Sequence, residues 1–137
     1  MSKSNKTFKF DLVSPEKVVA SQEASMVVIP GSMGDFGVLP KHAPMLASLR
    51  AGVISIHLPT GEINKVFVSG GFADVSEELC SVLVEEAVNL NDLNAERLGR
   101  EMKALHEELE TCSADTEEFK VLSKKIDIIQ SKINVAV

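Results

Sequence analysis

Just past Asn89 the apolar side chains stop recurring at every second residue and begin to recur at every third or fourth. A chain with that change has to fold as two unlike parts, because the first spacing buries one face of a strand and the second buries one stripe of a helix. From Thr7 to Asn89 the rows are short. Phe8, Phe10 and Leu12 form one, Ile54, Ile56 and Leu58 another, Val66 and Val68 a third, and Cys80, Val82 and Val84 a fourth. Each row marks a half-buried strand turned toward a common core. Turn residues separate the rows at Ser14-Pro15-Glu16, from Gly31 to Gly37, at Pro59-Thr60-Gly61 and at Gly70-Gly71, a spacing that indicates a sandwich or barrel. Val27-Val28-Ile29 is apolar on both faces and belongs in an interior strand between the two sheets.

Beyond Asn89, Leu98, Met102, Leu105 and Leu109 fall on one helical stripe, and Phe119, Leu122, Ile126, Ile129 and Ile133 on a second. The polar break from Thr111 to Asp115 reads as the link of a helical hairpin. Asp115 with Glu118 resembles a capping box for the second helix, and Asn91 and Asp92 are expected to cap the first. The fold expected is α+β: an N-terminal antiparallel β-sandwich over 1–89, followed by a C-terminal antiparallel two-helix hairpin over 90–137. Helices this short are marginal alone. Their stripes must close on each other, on the sandwich or on another protein, so the hairpin is expected to have more than one arrangement of similar free energy.

Composition excludes several function classes. The 137 residues carry a formal charge of −6, with Lys and Arg scattered and neither Trp nor Tyr present. A nucleic-acid partner would call for a clustered basic face and stacking aromatics, so none is expected. No apolar run is long enough to span a bilayer, and the polar start, Met1 to Lys6, lacks the hydrophobic segment of a secretory signal. A cytosolic chain is the expectation. Cys80 and Cys112 are expected to be reduced thiols. His42, His57 and His106 fall on a loop, a strand and a helix without a carboxylate or thiol at ligand spacing, so no metal site is expected. Neither a G-x-S-x-G elbow nor a phosphate-binding loop occurs, so no catalytic residue is assigned and no cofactor is expected.

Three segments carry a family resemblance: Phe10-Asp11-Leu12-Val13-Ser14-Pro15-Glu16, the stretch from Pro30 to Pro44 (PGSMGDFGVLPKHAP), and Ser69-Gly70-Gly71-Phe72. In this order, and with the change of period near Asn89, they resemble the epsilon-subunit family of F-type ATP synthases. The middle stretch, G-x-x-G-D/E-x-G followed by P-x-H-A-P, is the specific part. The resemblance implies a non-catalytic subunit of the central stalk, the counterpart of the mitochondrial delta subunit. It would lie peripherally at the cytoplasmic face of the bacterial plasma membrane, bound to the gamma subunit and touching the ring of c subunits. Rotation of the stalk would drive ATP synthesis at sites on the beta subunits, beside alpha.

Within the middle stretch, glycines permit close backbone approach and are expected to present Asp35 and Phe36 at a loop tip, with His42 nearby between two prolines. By resemblance Asp35 and His42 match positions facing the polar loops of the ring, which makes Asp35, Phe36 and His42 the candidates for ring contact. On the hairpin, Arg97, Arg100 and Lys103, then Lys120, Lys124 and Lys125, form basic rows interleaved with Glu96, Glu101, Glu107 and Glu108. Such rows are often solvated faces. The resemblance implies a second use, as inhibitory contacts to an acidic segment of beta that block ATP hydrolysis.

Some family members bind ATP through I/L-D-x-x-R-A at the start of the first helix. Here Leu93-Asn94-Ala95-Glu96-Arg97-Leu98 has Asn for Asp and Leu for Ala, and the second helix holds no Arg. Asn94 and Arg97 remain as candidates of a degenerate motif, for which weak or absent nucleotide binding is expected. A different class of function would be a free-standing binding module that homodimerises through its hairpin, whereas a rotor subunit is expected to be a monomer when isolated.

Overall fold

The computed structural model describes residues 7–136. Its first part holds ten strands: β1 (Phe8–Val13), β2 (Val18–Ala24), β3 (Met26–Gly31), β4 (Gly34–Val38), β5 (Met45–Leu49), β6 (Gly52–His57), β7 (Ile63–Val68), β8 (Gly71–Val75), β9 (Leu79–Val84) and β10 (Ala87–Asn89). The hydrogen-bonded order is β10-β7-β6-β3-β5-β8-β9-β1-β2, with β4 on β3. Every pairing is antiparallel except β1 with β9, which is parallel. Strand β3 meets β6 at Met26–Val28 and β5 at Gly31, and so carries the ladder from one group of strands to the other.

The alternating rows fill a single interior. Phe8, Phe10 and Leu12 from β1, Val27 and Ile29 from β3, Ile54 and Ile56 from β6, Val66 and Val68 from β7, and Cys80, Val82 and Val84 from β9 are all buried in one cluster. Each of the larger of these side chains stabilises the fold by about 1.5–3 kcal/mol. Val28 is half-buried on the opposite face of β3, and Leu58 packs on the cluster one residue beyond β6. Among the described residues no polar or charged side chain is buried. The interior therefore contributes stability and no chemistry.

Two connections depend on glycine. In the β6–β7 turn Gly61 has φ +97° and its N–H donates to the Leu58 carbonyl at 3.0 Å. At the start of β8, Gly71 has φ +153°, and a Cβ there would lie 2.0 Å from the Leu83 carbonyl oxygen of β9. Only a residue without a side chain allows that approach.

The chain divides between Asn89 and Leu90 into two compact units. The second begins with a 3-10 turn, Leu90–Asp92, and continues as α1 (Ala95–Glu110) and α2 (Glu117–Val135), which pack against one another. Leu98, Leu122 and Ile129 are buried, while Met102, Leu105, Leu109, Phe119, Ile126 and Ile133 are half-buried. Both stripes therefore lie where the 3.6-residue period puts them.

Both expected caps are displaced. Asn91 and Asp92 are taken up by the 3-10 turn, and the cap of α1 is Asn94, whose Oδ1 accepts from the Arg97 N–H at 3.1 Å. For α2 the cap is Thr116, not Asp115. Its hydroxyl oxygen accepts from the Phe119 N–H at 3.2 Å and its O–H donates to the Ser113 carbonyl at 2.8 Å. With the helix starting at Glu117, Glu118 lies too near the cap to close a capping box. Glu117 and Glu118 instead occupy the first turn, where a carboxylate is favoured by the helix dipole.

Candidate functional site

The segment from Pro30 to Gly37 is a two-strand hairpin and not an open loop. β3 and β4 pair with Ile29 opposite Phe36, Pro30 opposite Asp35 and Gly31 opposite Gly34, so the turn is Ser32-Met33. The tip is therefore Met33, which is 99% exposed. Asp35 sits on β4, and Phe36, beside it, is turned inward and packs partly on the core. The Phe36 ring lies over Gly31, where a Cβ would come within 2.9 Å of it. Placing Asp35 and Phe36 at the tip is thus corrected: the glycines close a turn one step earlier, and Phe36 shares its inward face with Val38, two residues on.

Arg50, just past β5, organises this hairpin. Its backbone N–H donates to the Pro30 carbonyl at 3.0 Å. Its guanidinium reaches the Gly31 carbonyl through Nη1 at 2.5 Å and Asp35 Oδ1 through Nη2 at 2.5 Å. Ser48 adds a carbonyl that accepts from the Ser32 N–H at 2.9 Å, and the two serine hydroxyls are 2.8 Å apart. None of the sequence patterns singled out Arg50 or Ser48. Their signal is a register, Gly31 opposite Leu49, which joins residues far apart along the chain. His42 lies in the Leu39–Pro44 connection, half-buried, with Nδ1 donating to the Ala43 carbonyl at 2.7 Å.

On the second unit, Arg97, Arg100, Lys103, Lys120, Lys124 and Lys125 are all exposed. Lys120 pairs with Glu117 at 3.7 Å. No ion pair among the described residues engages the other five, so their charge is available to a partner. Asn94 has a structural duty as the α1 cap, which Asn performs as well as the Asp of the ATP-binding motif.

The remaining chemistry-bearing groups are dispersed. Burial in the core pushes the Cys80 thiol up from 9.0 to about 12, with the Asp74 carboxylate adding to the effect. The Cys112 thiol, in the link between α1 and α2, is also raised, by desolvation first and then by the Glu118 and Glu108 carboxylates. A cleft of about 270 Å³ beside the β1–β2 turn, lined by Ser14 to Lys17 with Glu85 and Glu86, holds no histidine or cysteine. Among the described residues no three His, Cys, Asp or Glu side chains converge as metal ligands would.

Comparison with known proteins fits this architecture. Residues 7–90 match the family described as ATP synthase, Delta/Epsilon chain, beta-sandwich domain. An ATP synthase epsilon chain from Rhodospirillum rubrum is 40% identical over 119 residues, covering 87% of this chain and 89% of that one. One from Paramagnetospirillum magneticum is 47% identical over 107 residues, covering 78% and 80%. Among solved structures, a chain of the Euglena gracilis mitochondrial ATP synthase, OSCP/F1/c-ring in rotational state 1, superposes with a TM-score of 0.78 at 19% identity, covering 92% of this chain and 79% of that one. That likeness is one of fold.

Proposed function

This chain belongs to the ATP synthase epsilon-chain family, and on that premise we propose that it is a non-catalytic central-stalk subunit that couples rotation to ATP synthesis. In this reading the sandwich, residues 1–89, docks on the gamma subunit and on the ring of c subunits. The β3–β4 hairpin, which carries Asp35 and the inward-packed Phe36, forms the ring-facing part, with His42 of the β4–β5 connection as a further candidate. The helical hairpin, residues 90–137, is a regulatory arm whose Arg97, Arg100, Lys103, Lys120, Lys124 and Lys125 meet acidic surface on the beta subunit, beside alpha, and restrain ATP hydrolysis. The subunit lies peripherally at the cytoplasmic face of the bacterial plasma membrane. No described helix is long and apolar enough to cross a membrane.

The observation that carries the reading is similarity spanning both units: the Rhodospirillum rubrum relative aligns over 87% of this chain, too much for the sandwich alone. Support for the arm comes from its charge. The arm as a whole holds more acidic than basic residues, so the contact would be local. Five exposed cations with no ion pair among the described residues form rows that can meet an acidic surface, and such complementarity gives a reversible contact its specificity and rate. Nucleotide binding at Asn94 and Arg97 is weak or absent in this reading, because the motif has Asn for its Asp and the second helix has no Arg.

The test is removal of residues 90–137 from the chain in its assembled ATP synthase. Hydrolysis is expected to rise while the complex still couples proton flow to synthesis. An unchanged hydrolysis rate in a complex that remains coupled would eliminate the brake and leave only the docking role.

A further inference from the structure

Resting on the reading in which the β3–β4 hairpin touches the ring, we propose that Arg50 is the positioning residue of that contact, and that it presents the Ser32-Met33 turn, not a free Asp35 carboxylate, to the partner. The guanidinium spans both strands of the hairpin, from the Gly31 carbonyl on β3 to Asp35 on β4. A planar fork holds two acceptors at a fixed angle, which a point charge does less well. Because Arg50 also donates its backbone N–H to Pro30, the hairpin is tied to the end of β5 by main chain and side chain together. Its direction is set by that strand.

The ion pair is exposed, with side-chain accessibilities of 47% for Arg50 and 60% for Asp35, so it adds little to folding stability. Its effect is on orientation and on charge. With Asp35 neutralised, what projects furthest is the apolar Met33 side chain at 99% exposure, flanked by a serine whose hydroxyl is engaged by Ser48. A partner surface that receives this tip is recognised by shape and apolar contact, and the cation it would need to meet Asp35 is already supplied from within the chain.

The experiment uses the full chain in the assembled complex, carrying a benzophenone maleimide on Met33→Cys in a Cys112→Ser background; the remaining thiol, Cys80, is buried. Photo-cross-linking to the c subunit is expected to fall about two- to fivefold with Arg50→Ala, and by no more than that with Asp35→Ala, which leaves the Arg50 bond to the Gly31 carbonyl in place. The double variant should fall no further than Arg50→Ala, because the Asp35 contact is already lost there. Asp35→Asn, which keeps an acceptor for Arg50 but not the charge, should lose less than Asp35→Ala, and the unfolding midpoint of the isolated chain should stay near that of the parent in both Asp35 variants, whose ion pair is exposed. A parental yield with Arg50→Ala would overturn the proposal, as would a loss with Asp35→Ala accompanied by an equal fall in stability. If the parental probe assembles but gives no cross-link to the c subunit, the ring contact itself fails and the proposal falls with it.

Discussion

Replacing Gly71 with alanine should strain the pairing of β8 with β9, and Gly61→Ala provides the control that isolates why. Both glycines lie at positive φ, +153° and +97°, where an L side chain is strained by about 1–3 kcal/mol. At Gly61 the space for a Cβ is open, with nothing within 4 Å. At Gly71 the Cβ would lie 2.0 Å from the Leu83 oxygen and 3.0 Å from both the Leu83 carbonyl carbon and the Val84 Cα. These are backbone atoms of β9, whose Val82 and Val84 are buried in the core, so relief requires moving a packed strand and adds roughly 1–3 kcal/mol. Gly71→Ala should therefore be less stable than Gly61→Ala by about 1–3 kcal/mol, or about 5–20 °C in unfolding midpoint for a domain of this size. Urea and thermal unfolding followed by circular dichroism measure the difference. Equal destabilisation by the two variants would refute the steric argument and leave backbone conformation as the only contribution.

Three further outcomes follow from particular residues. Because burial raises the Cys80 thiol from 9.0 to about 12, the neutral form favours the fold: this contribution is intact below pH 9 and declines toward pH 12 by about 1.4 kcal/mol per pH unit. Cys80→Ala should flatten that alkaline slope in urea titrations, and an unchanged slope would refute the assignment. Thr116→Ala should lower hairpin stability by about 1 kcal/mol, whereas Asp115→Ala should stay within about 0.5 kcal/mol of the parent, read from hydrogen exchange of the first amides of α2. Gly99 is exposed in the interior of α1 with open space around it. Its replacement by Ala should stabilise that helix by about 0.5–1 kcal/mol and slow exchange of its amides; faster exchange would contradict the open setting of this position.

Periodicity revealed the architecture because it reports burial directly. Phe8, Phe10 and Leu12 alternate since one face of β1 meets the core, and Leu98 with Leu122 and Ile129 recur helically since one stripe of each helix is covered. The caps were less legible. Asn91, Asp92 and Asn94 are all competent N-caps, and the choice is made by the 3-10 turn closed by the Leu93 N–H on the Leu90 carbonyl at 3.2 Å. Phe36 could have been placed inward from its spacing to Val38, had the surrounding glycines not suggested an open loop. Arg50 carried no local signal, because its acceptors are 15 and 19 residues away and meet it only through the tertiary register of β3 and β5.

The most direct measurement is the native mass of the purified full chain, first alone and then mixed with the gamma subunit of the same ATP synthase. A central-stalk subunit predicts a single copy alone and a stable one-to-one complex with gamma. A homodimer that persists unchanged when gamma is added would contradict the account and assign the helical hairpin to self-association.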